Sequence, residues 1–287
     1  MLIDILQLTL YGIVYGSIIA LGAVGVSLVF GVLRFAHFAH GDLMTFGAYM
    51  ALVVYSGLAL PLWLGLLVAL LATALLAILI DQTLYRHFRR ANPLILLISS
   101  FGVGLMVRSA VQMIWGTDTQ VYDSAIQFPY RFWGLRIKPD HLVILGGAVV
   151  LVVVLHLFLQ KTRIGKAMRA LADNPDLARI SGINTDRVIL WTWVMAAAMA
   201  AAAGFFVALD TRLHPDMGWF ILLPVFAAAI LGGIGKPYGA IAGGFVIGIA
   251  QELSTLVLSP AYKPAVAFAL MVIILIVRPT GIFKGAT

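Results

Sequence analysis

The sequence contains no cysteine, and charged residues make up only 11% of its 287 residues. Without cysteine the chain has no disulfide bonds, no thiolate metal ligands and no thiol nucleophile. Its charged fraction is less than half of the roughly 25% found in soluble domains, which excludes an ordinary soluble fold. Hydrophobic residues, at 62%, take the place of the missing charges.

The groupings of residues that catalysis and nucleotide binding require are also missing. The six histidines are scattered, and no motif combines a nucleophile, a base and an orienting group. The segment GGIGK at 232–236 partly matches a phosphate-binding loop, but Pro237 follows the lysine where serine or threonine is required. We therefore predict a protein that is not an enzyme and that holds no nucleotide, metal or cofactor.

Apolar runs long enough to cross a bilayer recur along the chain. A spanning helix needs roughly 20 apolar residues, and the runs lack the two-residue alternation of a β-barrel. We predict an all-α, polytopic helical bundle that faces lipid and occupies 1–287 as one domain, with nine spans, or eight as the alternative. No basic segment or cleavage site precedes the first run, so it is expected to stay in the membrane. The spans are placed at 7–32, 43–57, 61–84, 93–115, 141–160, 188–210, 218–233, 239–258 and 263–278.

The distribution of basic residues predicts the orientation. The net charge of +7 resides in loops rather than on one face with interleaved aromatics, so topology explains it better than nucleic-acid binding. Segment 161–187 carries six basic and three acidic residues, and 85–92 carries three arginines and no acid. Both are predicted to be cytoplasmic, whereas the balanced loop 116–140 is predicted to be outside. The N-terminus then lies outside and the C-terminus inside.

The cytoplasmic loop 161–187 contains the signals of a short helix. Asn174 can cap the helix, Pro175 suits its first position and Gly182 suits its end. A helix of about two turns is not stable alone in water. We therefore predict that it docks on a cytoplasmic partner.

Polar residues interrupt the apolar runs at His40, Gly41 and Asp42. Two interpretations remain open for 34–42. It is either a turn at the cytoplasmic interface or a partly re-entrant stretch that lines a transport path, since irregular backbone inside a membrane is tolerated only within protein or along a water-filled cavity.

Three further polar side chains lie in predicted spans. Arg108 and Glu252 are expected to pair with each other between helices, as a structural pair or as a clamp for a substrate. His156 is expected to be a hydrogen-bonded core histidine near the inner surface. A late series of glycines at four-residue spacing predicts close helix packing, with a pore-lining hinge as the alternative. The glycines are Gly235, Gly239, Gly243, Gly244 and Gly248.

Three segments, 16–52, 165–188 and 228–244, together resemble the LivH-type permease subunit of branched-chain amino acid ABC importers. The resemblance rests on AHG followed by GAY in the first segment and on NP, GIN and RV in the second. His37 stands where this family usually has asparagine. The resemblance implies a type II ABC importer-like permease that moves branched-chain or related amino acids across the bacterial inner membrane.

The resemblance also implies partners and site residues. The partners are a second related permease, two cytoplasmic ATP-binding subunits and a periplasmic solute-binding protein. Related permeases carry urea, short amides or other small solutes, and a proton-coupled secondary transporter is a further alternative.

The short helix would be the coupling helix, with Leu177, Ala178 and Ile180 as its apolar contact. The matching positions are Ala172, Asp173, Asn174, Pro175, Leu177, Ala178, Arg179, Gly182 and Ile183, and the candidates for the path are His37, His40, Gly41, Asp42 and Glu252.

Overall fold

The computed structural model describes residues 2–89, 92–122, 128–132 and 134–283. Helices make up most of this part of the chain, and one antiparallel hairpin, β1 (Tyr130–Phe132) with β2 (Leu135–Ile137), lies within the loop 116–140. The helices are α1 (Leu2–Leu33), α2 (His40–Leu52), α3 (Leu62–Ile80), α4 (Arg86–Phe88), α5 (Pro93–Trp115), α6 (Pro139–Lys161), α7 (Arg163–Asp173), α8 (Pro175–Ile180), α9 (Thr185–Asp210), α10 (Met217–Gly232), α11 (Pro237–Ser254) and α12 (Lys263–Val277).

Each of the nine predicted spans overlaps a helix. Among the described residues, six helical segments are long and apolar enough to cross a membrane by themselves, and α10 is a shorter apolar helix. Two helices continue into π-helical turns, α2 into Val53–Gly57 and α3 into Asp81–Tyr85. The helical membrane bundle predicted from the sequence is confirmed, and the hairpin is an addition to it.

The centre of the bundle is α1, which packs against α9, α10 and α11. Most of its residues from Gly12 onwards are buried. By contrast, few apolar side chains of α6 and α12 are buried, as in helices that face lipid. The buried centre and the exposed periphery are therefore both apolar.

Glycines allow α11 to lie directly against α1. A Cβ atom added to Gly244 would lie 2.5 Å from Cα of Ala20, and one added to Gly248 would collide with the backbone of Gly16. Small residues at such contacts let helix backbones approach closely in a membrane. The close packing predicted from the glycine spacing is confirmed.

The segment between α1 and α2 re-enters the bundle. Arg34 takes the left-handed conformation, φ +58°, and the chain then turns back so that the ring of His40 contacts the backbone of Gly22. Gly22 lies 11 residues before the end of α1, which corresponds to roughly 16 Å along the helix. The segment 34–42 therefore re-enters the bundle, and the interfacial turn is wrong; that it lines a transport path stays a prediction.

The short helix α10 also begins inside the bundle, beside the first turn of α2. The Gly218 amide donates to the Thr45 hydroxyl at 3.0 Å, and a Cβ atom on either Gly41 or Gly218 would collide with the backbone of the other. Two helix N-termini thus meet at buried residues within the helical bundle.

Candidate functional site

The helix α8 forms as its sequence predicts. The side chain of Asn174 accepts a hydrogen bond from the amide of Leu177 at 3.0 Å, and Pro175 occupies the first position. Gly182 follows the helix with φ +80°, a conformation that glycine adopts without strain. Local sequence is sufficient here because both ends of the helix are set by residues within it or next to it.

The exposed side of α8 differs from the predicted one. Ala178 is only 3% exposed and belongs to the hydrophobic core, whereas Leu177 is 57% and Ile180 82% exposed. Leu177 and Ile180 are three residues apart and therefore share one face of the helix. Ala178 is thus wrong as an outward contact, because its helix face packs on the permease itself, and Leu177 with Ile180 forms the free apolar edge.

Hydrogen bonds and ion pairs tie the preceding helix α7 to the bundle. Arg34, at the end of α1, donates to the carbonyl of Ala172 at 2.7 Å. Asp173 lies 3.5 Å from Nζ of Lys236 in the turn between α10 and α11. Ile183 donates from its backbone amide to the Ala178 carbonyl at 3.1 Å. The loop 161–187 is therefore connected to the C-terminal ends of α1 and α10 and to the N-terminal end of α11.

The polar residues of α8 interact mainly with each other. Arg179 lies 3.8 Å from Asp176, and both side chains are more than half exposed. An exposed pair of this kind contributes little to stability. Arg179 is therefore available for a partner.

A second polar connection begins at Asp186, in the first turn of α9. Arg89 donates to Asp186 at 2.9 Å and also pairs with the buried Asp81. The π-helical turn Asp81–Tyr85 directs both of its end residues into the core, where the Tyr85 hydroxyl lies 3.1 Å from Nε2 of His37. Sequence reasoning missed Asp81, Tyr85 and Arg89, although an aspartate at the end of a long apolar run is a signal that could have found the first.

The two histidines of the re-entrant segment are buried side by side. His37 contacts the Trp193 ring edge-on at 4.9 Å, and Trp193 stacks on Tyr85 at 5.3 Å. His40 donates from Nε2 to the Gly22 carbonyl at 3.0 Å, which assigns that proton to Nε2. Both rings are within 2% of complete burial, so they hold the segment in place between α1, α3 and α9.

Asp42 belongs to a cluster of charges with Arg108 and Asp216. Arg108 donates from Nε to Asp42 at 2.8 Å, and its Nη1 lies 3.7 Å from Asp216. The guanidinium also stands over the Trp219 ring at 4.9 Å. The predicted pairing of Arg108 with Glu252 is therefore wrong, because α5 packs against α2, which carries Asp42.

Glu252 lies apart from the other path candidates. It accepts from Nζ of Lys263 at 2.5 Å near the C-terminal end of α11, beside a cavity of about 250 Å³. His156 also differs from the prediction. It is exposed on α6 rather than in the core, and its Nδ1 lies 2.9 Å from the Tyr238 hydroxyl.

The family model of the branched-chain amino acid transport system permease component matches this chain over residues 8–275. LivH of Escherichia coli K12, a high-affinity branched-chain amino acid permease protein, is 33% identical over 96% of this chain and 94% of its own. BraD of Pseudomonas aeruginosa is 31% identical over 96% and 95%. LivM of Escherichia coli K12 matches 53% of this chain and 37% of its own at 30% identity.

A solved structure, PsaBC from Streptococcus pneumoniae in complex with Fab, has the same fold. It aligns with a TM-score of 0.52 over 96% of this chain and 92% of that one, at 15% identity. The family match and the relatives extend over almost the whole bundle, including the re-entrant segment and α8. This chain belongs to the family of branched-chain amino acid transport permease components.

Proposed function

We propose that this permease is one membrane subunit of an importer that carries branched-chain or related small amino acids across the bacterial inner membrane. Two separate cytoplasmic subunits hydrolyse the ATP, and a periplasmic solute-binding protein delivers the amino acid. The match to LivM, in addition to LivH, supports a second, related permease in the complex. Transport by alternating access needs no covalent chemistry in the permease, which agrees with its membership of a family of transport components.

The observation that carries this proposal is the geometry of α8. Its Asn174 cap and its buried Ala178 hold the helix on the bundle, while Leu177 and Ile180 remain exposed. Burying a leucine or isoleucine side chain stabilises a complex by about 1.5–3 kcal/mol. A subunit that covers this edge therefore gains affinity, and a groove on an ATP-binding subunit is the occupant we propose.

The connections of the loop supply a route for motion. If the ATP-binding subunits displace α8, the displacement reaches α1 through Arg34 and Ala172 and reaches the turn between α10 and α11 through Asp173 and Lys236. These helices are packed closely against each other, so they shift as rigid elements rather than bend. In this proposal the shift opens the path beside the re-entrant segment.

A proton-coupled secondary transporter is the second candidate. Such proteins need carboxylates near the middle of the bilayer that change protonation. Glu252 is near the C-terminal end of α11 and bonded to Lys263, and Asp42 is bonded to Arg108. Each carboxylate has a cation beside it, which favours the ATP-driven importer. Permeases for urea or short amides are alternatives within the ATP-driven class.

Reconstitution of the whole complex in liposomes tests the proposal. We expect uptake of labelled leucine to require ATP and the binding protein and to continue when a protonophore removes the proton gradient. Uptake that stops with the protonophore and does not need ATP would identify the secondary transporter. Uptake of urea or acetamide in preference to leucine would overturn the proposed substrate.

The substitution Ile180→Arg tests the role of α8. A long charged side chain at the exposed edge should release the ATP-binding subunits in a pull-down and abolish uptake, while the permease still inserts because no span is altered. Val121→Arg, at a 44% exposed site in the outer loop, is the matched control and should retain them. If Ile180→Arg retains its ATP-binding subunits and full uptake, the contact lies elsewhere.

A further inference from the structure

The cluster of Asp42, Arg108 and Asp216 is held asymmetrically. The Asp42 side chain is 2% exposed, that of Arg108 15% and that of Asp216 45%. Arginine offers five N–H donors in a planar fork, and the bond from Nε to Asp42 uses one of them at 2.8 Å. The distance of 3.7 Å from Nη1 to Asp216 exceeds that of a hydrogen bond. The guanidinium is thus anchored on one side and loosely held on the other.

The anchored side is built into the packing. A Cβ atom on Gly104 would collide with the Asp42 carboxylate, so the glycine provides the space that the carboxylate fills. Asp42 and Asp216 also stand at the N-termini of α2 and α10, where the helix dipoles favour negative charge. Both carboxylates therefore stand where the ends of the helices add to their attraction for the Arg108 cation.

Aromatic and aliphatic side chains lie beside the Arg108 guanidinium. Trp219 covers the guanidinium at 4.9 Å, and the ring of Phe101 packs edge-on against Trp219 at 5.7 Å. Phe220 is 65% and Leu223 53% exposed on the same helix. The ion pair of Arg108 and Asp216 therefore lies next to an exposed hydrophobic surface, which the first two turns of α10 provide.

The depth of Arg108 within α5 argues against lipid as the surroundings of this face. Arg108 lies seven residues, or roughly 10 Å, before the outer end of α5. Charged side chains at such depth face protein or a water-filled path, because exposure to hydrocarbon is costly. The half-exposed Asp216 therefore borders water or another polar surface.

We propose that Arg108 and Asp216 bind the zwitterionic backbone of the transported amino acid. Its carboxylate binds the free edge of the Arg108 guanidinium, its ammonium group binds Asp216, and its apolar side chain lies on Trp219 and Phe220. Arginine suits a planar carboxylate because it can donate two parallel hydrogen bonds. The zwitterion separates Arg108 from Asp216 and gives each of them a new partner of opposite charge. The net charge of the cluster does not change. This inference rests on the proposed function and specifies its substrate site.

Asp216→Asn in the reconstituted complex tests the inference. We expect leucine uptake to fall at least about tenfold, which corresponds to about 1.4 kcal/mol, while the loaded binding protein still stimulates ATP hydrolysis. Asp210→Asn is the matched control, because Asp210 pairs with His141 at 3.2 Å in the same outer region, and it should transport normally. Loss of ATPase stimulation together with uptake would assign Asp216 to docking of the binding protein and overturn the inference.

Leucine binding can also be measured directly on the membrane complex, without the periplasmic solute-binding protein. Saturation-transfer NMR of leucine on the complex of permeases and ATP-binding subunits alone should give a signal, and leucinamide, which lacks the carboxylate, should give none. The double variant Asp42→Asn with Arg108→Gln should lose the leucine signal without leaving a buried charge unpaired. If the wild-type complex imports leucine but these variants bind and import it equally well, the inference is wrong and the proposed function stands. If the wild-type complex imports no leucine, the proposed function itself fails.

Discussion

Removal of the Asn174 cap should loosen α8 measurably. In Asn174→Ala, the Leu177 amide loses its acceptor at 3.0 Å, and loss of such a cap costs about 1 kcal/mol. A helix of six residues has no stability of its own to absorb this loss. An energy of that size changes the ratio of ordered to unfolded helix roughly fivefold. We expect α8 to open about five times more often, and fewer amino acids to be transported for each ATP hydrolysed.

Hydrogen exchange read by mass spectrometry on the reconstituted complex measures this opening. Exchange over 177–182 should be about fivefold faster in Asn174→Ala than in the wild type. Asn184→Ala is the matched control, because the Asn184 side chain accepts from the Arg187 amide at the same 3.0 Å but caps the 26-residue α9. Burial of α9 in the core should keep its exchange slow. Unchanged exchange over 177–182 in Asn174→Ala would refute the marginal stability of α8.

Two further predictions concern topology and packing. Because the chain has no cysteine, the variants Ser181→Cys and Thr119→Cys each contain one reactive thiol. An impermeant maleimide applied to intact cells should label Thr119→Cys only. Labelling of Ser181→Cys would show that the topology is inverted. Gly244→Val should prevent α11 from packing on Ala20 and lower the yield of folded permease several-fold in size-exclusion chromatography, whereas Gly102→Val, with nothing within 4 Å of the added Cβ, should behave as wild type. Equal yields would show that the helix contact tolerates a side chain.

The sequence predicted those features that depend on neighbours along the chain. The start of α8 at Pro175 follows from its cap at Asn174, and the spans follow from the length of the apolar runs. The glycine spacing in α11 likewise predicted close packing against another helix, although not that this helix is α1. In each case the signal lies within about one helix length, where periodicity and capping act directly.

The errors arose where the answer depended on how helices are arranged in three dimensions. Arg108 pairs with Asp42 rather than Glu252 because the re-entrant segment carries Asp42 to the side of α5. Ala178 was predicted to face a partner, but a two-turn helix with apolar residues on both sides does not indicate which side packs on its own protein. The sequence identifies polar residues that need partners, but only the fold shows which partner each of them has.

The π-helical turn Asp81–Tyr85 makes the rotation of the inner end of α3 dependent on a single residue. A π-helical turn contains one residue more than an α-helical turn, and each residue advances an α-helix by about 100°. Rewinding of 81–85 as ordinary α-helix would therefore rotate everything beyond it by about that angle and carry Arg89 away from Asp186. The winding of this one turn thus determines whether the inner end of the span is connected to the start of α9.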